Sequence, residues 1–190
     1  MHVSVARLRP RSFGPLGHDA AVLTGLVLAV PALQEFVERH RHPSDASGSL
    51  GVPAHVTALY PWVRQPLTAD VLDRCARVVR GFGPVTMCFQ RVATFPVGVV
   101  YLVPEPEERV RELTKLLVEA YPDCVPYDGE HPDPQPHLTV TTGPAQELGD
   151  LAARAAGDLT PTHCTVRALT ALGQQADGRW RTVRTLSLES

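Results

Sequence analysis

The tetrapeptide His55-Val56-Thr57-Ala58 returns 82 residues later as His137-Leu138-Thr139-Val140. A polar–apolar alternation spelled twice at that distance points to a duplicated fold with each copy on a strand. Residues two apart on a strand share a face. Each copy therefore sets an imidazole beside a hydroxyl, about 7 Å along the strand, and turns its apolar residues inward. A third copy, His163-Cys164-Thr165-Val166, shares the spelling but not the setting. Pro53 and Pro61 bracket the first motif, and Pro134, Pro136 and Pro144 bracket the second, as expected of short strands punctuated at their ends.

The flanking periodicities extend the duplication. Helical spacing predicts helices over 31–41 and 105–120 before the motifs, and over 69–80 and 145–157 after them. Strand-like runs follow at 85–95 and 99–103 in the first half, and at 162–172 and 180–188 in the second. A further strand is predicted over 24–30. The expected architecture is a single bilobal unit over 20–190, with lobes 22–104 and 105–188 facing each other across a pseudo-twofold. His163 has no counterpart in the first lobe and reads as an ordinary strand histidine.

The chemistry implied is acid–base. One imidazole removes a proton, the other donates one, and two hydroxyls hold an anion between them. His55, Thr57, His137 and Thr139 are the candidate catalytic residues, although threonine also enters strands for steric reasons alone. Strand parity puts Leu59 and Thr141 on the motif face, which makes Thr141 a candidate phosphate contact or a solvated threonine. Trp62, Phe95, Tyr101 and Tyr127 are aromatic candidates for stacking on a base, of which Trp62 and Tyr127 are the chosen substrate-binding residues; core packing is the competing role. The aperiodic stretch 121–136 holds five prolines and reads as a loop at the cleft rim. The segment 42–51, rich in serine and glycine, reads as a mobile loop covering the cleft.

These residues resemble the two-histidine phosphoesterases, which include 2′-5′ RNA ligase-like proteins and 2′,3′-cyclic nucleotide phosphodiesterases. The resemblance runs through Gly51-Val52-Pro53-Ala54-His55-Val56-Thr57-Ala58-Leu59-Tyr60-Pro61-Trp62, then Phe95-Pro96 with Val99-Val100-Tyr101-Leu102-Val103-Pro104, and Pro136-His137-Leu138-Thr139-Val140. It covers roughly residues 22–188. It implies an α+β fold with two antiparallel sheets flanking a central open cleft, helices outside, and no metal or nucleotide cofactor. The activity it implies is hydrolysis of a 2′,3′-cyclic phosphate or a 2′-5′ linkage, or the reverse joining reaction without ATP.

Charge and cysteine usage set the outer bounds. The net charge of −2 and pI near 6.4 argue against holding long nucleic acid by general electrostatics. A small nucleotide or a short RNA end carrying a cyclic phosphate fits better than a duplex. Lys115 is the sole lysine among 18 basic residues, an arginine bias expected of a GC-rich bacterial genome. Cys75, Cys88, Cys124 and Cys164 lack metal or disulfide spacing, which suggests reduced thiols in a cytoplasm; the chain is expected to act as a monomer. No carboxylates stand at ligand spacing from the remaining histidines, so no metal site is expected.

Residues 1–19 read as an extension outside the fold. The apolar run 20–33 is too short to span a membrane, and reads as the first strand or as a signal-peptide core. Two functional classes remain: a metal-independent phosphoesterase, and a nucleotide- or RNA-binding module that keeps the cleft without turnover.

Overall fold

Alternating burial along both motif strands divides the molecule into a helix-covered side and an open side. In this computed structural model the described chain is residues 23–64, 66–131 and 133–190. Eight strands occur in it: β1 (Thr24–Ala29), β2 (His55–Leu59), β3 (Val85–Phe95), β4 (Val99–Glu105), β5 (Leu138–Thr142), β6 (Thr162–Val166), β7 (Ala168–Gln174) and β8 (Trp180–Ser187). Four helices accompany them: α1 (Gln34–Arg39), α2 (Ala69–Val79), α3 (Glu108–Ala120) and α4 (Gly149–Asp158). The expected extension 1–19 lies outside the described residues. The run 20–33 supplies β1 as its apolar centre, followed by a 3-10 turn at Pro31–Leu33. Among the described residues no helix is long and apolar enough to cross a membrane.

The fold is α+β, and the strands form one antiparallel sheet in the order β6-β3-β4-β5-β2-β1-β7-β8. The two expected sheets are the halves of this sheet. They meet at its centre, where β2 and β5 pair through Val56 and Leu138 alone. The halves differ from the sequence segments 22–104 and 105–188, because each draws strands from both: β3 and β4 join β5 and β6, while β7 and β8 join β1 and β2. The run 162–172 breaks at Arg167, and its parts β6 and β7 go to opposite halves. The helices are exchanged as well. α1 packs on β5 and α4 on β3, whereas α3 packs on β2 and α2 on β8. Antiparallel pairing places few demands on connection length, so topology rather than chain proximity decides which strand enters which half.

Burial follows from this layering. Val56, Leu138 and Val140 are fully buried beneath the helices with Leu113 and Leu117 of α3, while His55, Thr57, His137 and Thr139 stay half-buried on the open face. Gly98, at φ 89° in the β3–β4 turn, is required by close approach: a Cβ there would stand 2.1 Å from the Gly143 carbonyl oxygen.

Each motif strand carries an extra residue at the same place. The β1–β2 register slips between Leu26–Leu59 and Val27–Thr57, leaving Ala58 as a bulge. The β4–β5 register slips between Val100–Thr141 and Tyr101–Thr139, leaving Val140 as a bulge. Ala58 and Val140 are equivalent under the 82-residue offset. A bulge reverses strand parity beyond it, so Leu59 and Thr141 turn inward and are buried. This overturns the expectation that Thr141 shares the motif face.

Candidate active site

The seam between β2 and β5 builds the polar cluster. Antiparallel register at Val56–Leu138 sets His55 across from Thr139 and Thr57 across from His137. The two histidines are diagonal neighbours, whose backbones stand about 7–8 Å apart in such a register. The pseudo-twofold passes through the seam and exchanges the two His–Thr pairs.

Both imidazoles are held the same way. Nδ1 of His55 donates to the Pro53 carbonyl at 2.7 Å, and Nδ1 of His137 donates to the Gln135 carbonyl at 2.7 Å. A carbonyl accepts only, so each ring keeps its proton on Nδ1 when neutral and presents Nε2 to the open face. Burial lowers both pKa values below the ordinary histidine value of 6.5. The backbone carbonyls oppose the shift, and charge on His137 adds to it for His55, as charge on His131 does for His137.

Aromatic rings wall one side of the cluster. Phe95 stacks on Tyr101 at 4.1 Å between centroids, and both meet His137 edge-on, at 5.2 and 5.6 Å. On the other side a cavity of about 430 Å³ opens between β2, α3 and the segment 126–137, with Thr57, His137 and Tyr127 at its lining. Tyr127 and Asp128 sit in the left-handed region, at φ 51° and 53°, which is uncommon for a bulky residue. The turn is fixed by the Tyr127 N–H donating to the Tyr60 carbonyl at 2.6 Å, and by the Arg64–Asp128 ion pair. Burial pushes the Tyr127 phenol pKa up, against a hydrogen bond with Thr57.

The structure thus brings together His55, Thr57, His137, Thr139, Tyr127 and the aromatic candidates Phe95 and Tyr101, and separates Trp62, Thr141 and His163 from them. Trp62 is 1% exposed, packed edge-on against Tyr121 in the core, and has no face free for stacking on a base. Thr141 accepts the His42 N–H at 2.8 Å and donates to Asp45, so its hydroxyl serves the fold. His163 is exposed on the edge strand β6, three strands from β5, beside Cys88. The loop 42–51 is anchored rather than free, since the buried Asp45 carboxylate accepts from Ser47 and from Thr141 and Thr142 of β5.

Sequence reasoning missed the two carbonyl locks. Their signal was present, because the prolines before each motif hold those segments extended and aim a carbonyl back at the ring two residues on. The four cysteines are free thiols. Among the described residues no group of three or more His, Cys, Asp or Glu side chains converges as a metal-ligand set.

Two His–Thr pairs across a pseudo-twofold seam, in an α+β fold with an open face, define a two-histidine phosphoesterase architecture. The profile of the 2′-5′ RNA ligase superfamily matches residues 29–178, and the chain belongs to that superfamily. Solved structures share the fold at low identity. Escherichia coli LigT complexed with 3′-AMP is 14% identical at a TM-score of 0.55, covering 88% of this chain and 98% of LigT. LigT complexed with ATP is 15% identical at 0.56, covering 90% and 100%. TT0787 of Thermus thermophilus is 16% identical at 0.55, covering 89% and 98%. No curated protein matches the chain.

Proposed function

We propose that the protein is a metal-independent phosphoesterase that opens 2′,3′-cyclic phosphates or cleaves 2′-5′ linkages of nucleotides and short RNA ends. The observation that carries this reading is the pair of equivalently locked imidazoles, each with Nε2 free on the open face. A phosphodiester anion between them has one Nε2 on each side of phosphorus, the arrangement in-line displacement requires. One neutral imidazole takes a proton from water as its oxygen bonds to phosphorus. The other, protonated, gives its proton to the departing ribose oxygen as the P–O bond breaks. The product is a phosphomonoester and a free hydroxyl. With a 5′-hydroxyl in place of water, the same groups join it to the cyclic phosphate: the new P–O bond forms as the ring P–O bond breaks and the ribose oxygen leaves as a hydroxyl, without ATP, and the reverse of that joining cleaves a 2′-5′ linkage.

Thr57 and Thr139 donate to the phosphoryl oxygens as negative charge grows there. Thr57→Val and Thr139→Val each lose about 1–3 kcal/mol of transition-state stabilisation, some 5- to 150-fold in kcat/KM, with the melting temperature little changed. Steady-state kinetics on a cyclic nucleotide check this; undiminished kcat/KM in both variants sinks the assignment. Tyr127 is the substrate-binding aromatic in this reading. The nucleotides in the LigT structures support a ligand of nucleotide size, and the net charge of −2 supports a short rather than a long one. One chain supplies both motifs, which suits action as a monomer.

The test is hydrolysis of 2′,3′-cyclic mononucleotides in excess EDTA. Turnover survives the chelator if the two imidazoles act without metal. Activity restored only by added divalent cation refutes the mechanism, and absence of turnover on cyclic and 2′-5′ substrates alike favours a binding module.

A further inference from the structure

The third His–Thr pair of the sequence, His163 and Thr165, meets a partner strand of its own. β6 pairs with β3 antiparallel, in a register that sets His163 across from Cys88 and Thr165 across from Thr86. Val85, Met87 and Phe89 of β3 are buried on the helix-covered side, so Thr86 and Cys88 alternate with them onto the open face. There Thr86, His163 and Thr165 are exposed and Cys88 is half-buried. A second polar cluster thus lies on the outer strands, apart from the motif pairs.

Its members pair selectively. Thr86 and Thr165 bond each other at 3.0 Å, whereas Sγ of Cys88 stands 3.6 Å from Nε2 of His163. Glu105 of β4 lies across from Cys88 on the other side, but its carboxylate is engaged by Gln90 at 2.9 Å and by Arg91 at 3.1 Å. The thiol therefore keeps the imidazole as its polar partner. An imidazole that takes a thiol proton leaves the thiolate, the nucleophilic form of cysteine. Among the described residues none of the other three cysteines bonds an imidazole. Burial raises their pKa values instead, that of Cys75 to about 11. Cys164, next to His163 in sequence, is turned to the opposite face across from Met87.

We propose that Cys88 and His163 form a thiol-exchange site whose substrate is a small soluble disulfide. β6 is the outermost strand on its side of the sheet, so the pair is approached from the edge as well as from the open face. Sγ of Cys88 bonds to one sulfur of the disulfide as the S–S bond of that disulfide breaks. The thiol proton passes to Nε2 of His163 and on to the departing sulfur, which leaves as a thiol. Cys88 is oxidised to the mixed disulfide and the departing half is reduced, so no further oxidant enters. Attack by a second thiol on the mixed disulfide restores Cys88, which makes the modification reversible. The site stands independently of the phosphoesterase reading, three strands from β5.

Reaction of the native protein with dithiobis-nitrobenzoate, followed by release of the coloured thiolate, tests the site. One thiol reacts about tenfold faster than the rest, and limiting reagent leaves a single adduct that peptide mass mapping places on Cys88. Cys88→Ser abolishes the fast phase. His163→Ala and His163→Gln slow it about tenfold, whereas Thr165→Val, on the same face of the same strand, leaves it unchanged. That contrast separates the imidazole from a general loosening of β6, and the histidine variants carry the test if Cys88→Ser fails to fold. The proposal is overturned if Cys88 reacts no faster than Cys124 or Cys164, if both histidine variants react at the wild-type rate, or if Thr165→Val slows the reaction equally.

Discussion

Replacing His55 or His137 by alanine lowers turnover of a 2′,3′-cyclic nucleotide by about 10²–10⁴-fold, the range set by loss of one positioned proton donor or acceptor. His163→Ala leaves the rate unchanged, since that ring is exposed on β6 and bonded to neither motif. The loss in the double variant His55→Ala/His137→Ala is less than the product of the two single losses, because the groups act as a unit on one displacement. A folded His137→Ala protein with wild-type turnover sinks the two-histidine assignment outright.

The same pair fixes the pH dependence. Catalysis needs one imidazole neutral and one protonated, a population that peaks between the two pKa values. Both are lowered from 6.5, chiefly by burial, so kcat/KM is bell-shaped with its maximum below pH 6.5. A bound phosphate anion favours the imidazolium, and the kcat optimum therefore lies above that of kcat/KM. Stability runs the other way. The unfolded state binds more protons than the folded state just below pH 6.5, so stability is fully present above that value and falls as pH drops through the folded pKa values. The histidine variants escape this loss, and their melting temperatures gain on wild type between pH 7.5 and 5. A kcat/KM maximum above pH 7.5 contradicts a shift caused by burial.

How far the sequence carried depends on what each feature rests upon. The motif strands and α2, α3 and α4 were legible because their signals are local: period-two alternation, apolar residues at helical spacing, and proline at the boundaries. The exchange of strands between halves was not, because β6 and β7 form one apolar run and nothing at Arg167 says that the chain changes partners there. Strand parity failed one residue past each motif for a related reason. Ala58 and Val140 carry no glycine or other bulge signal, yet both are bulges, and Thr141 is lost from the cleft by that single insertion. Trp62 illustrates a third limit: a tryptophan just past a motif strand reads as a stacking platform until its burial against Tyr121 is known. The serine- and glycine-rich composition of 42–51 suggested mobility and hid the one buried carboxylate that fixes the segment.

That carboxylate makes Asp45→Ala the most destabilising single change expected here, at about 3–5 kcal/mol, the loss that follows removal of one partner from a buried charged network. The Asp45 side chain is 2% exposed. It accepts the Ser47 N–H at 2.8 Å and the Thr142 N–H at 2.8 Å, takes hydroxyl bonds from Ser47 and Thr141, and lies 3.4 Å from Arg41. Alanine leaves these donors facing a cavity too enclosed for each to recover a water. Asp45→Asn keeps the volume but turns an NH₂ toward other donors, which costs about 1–3 kcal/mol. At about 2–4 °C per kcal/mol for a chain of this size, the alanine variant melts some 6–20 °C below wild type. The sign with pH is fixed by the charge. Burial opposes ionisation of Asp45, but the bonds from Ser47, Thr142 and Thr141 outweigh it and hold the pKa below 3.8. Its contribution is therefore present above that value and lost as pH falls through the folded pKa. The gap in melting temperature between wild type and Asp45→Ala is wide at pH 7 and narrows below pH 4. Thermal denaturation at both pH values checks this, and equal melting temperatures at pH 7 refute the idea that one buried carboxylate ties the segment 42–51 to β5.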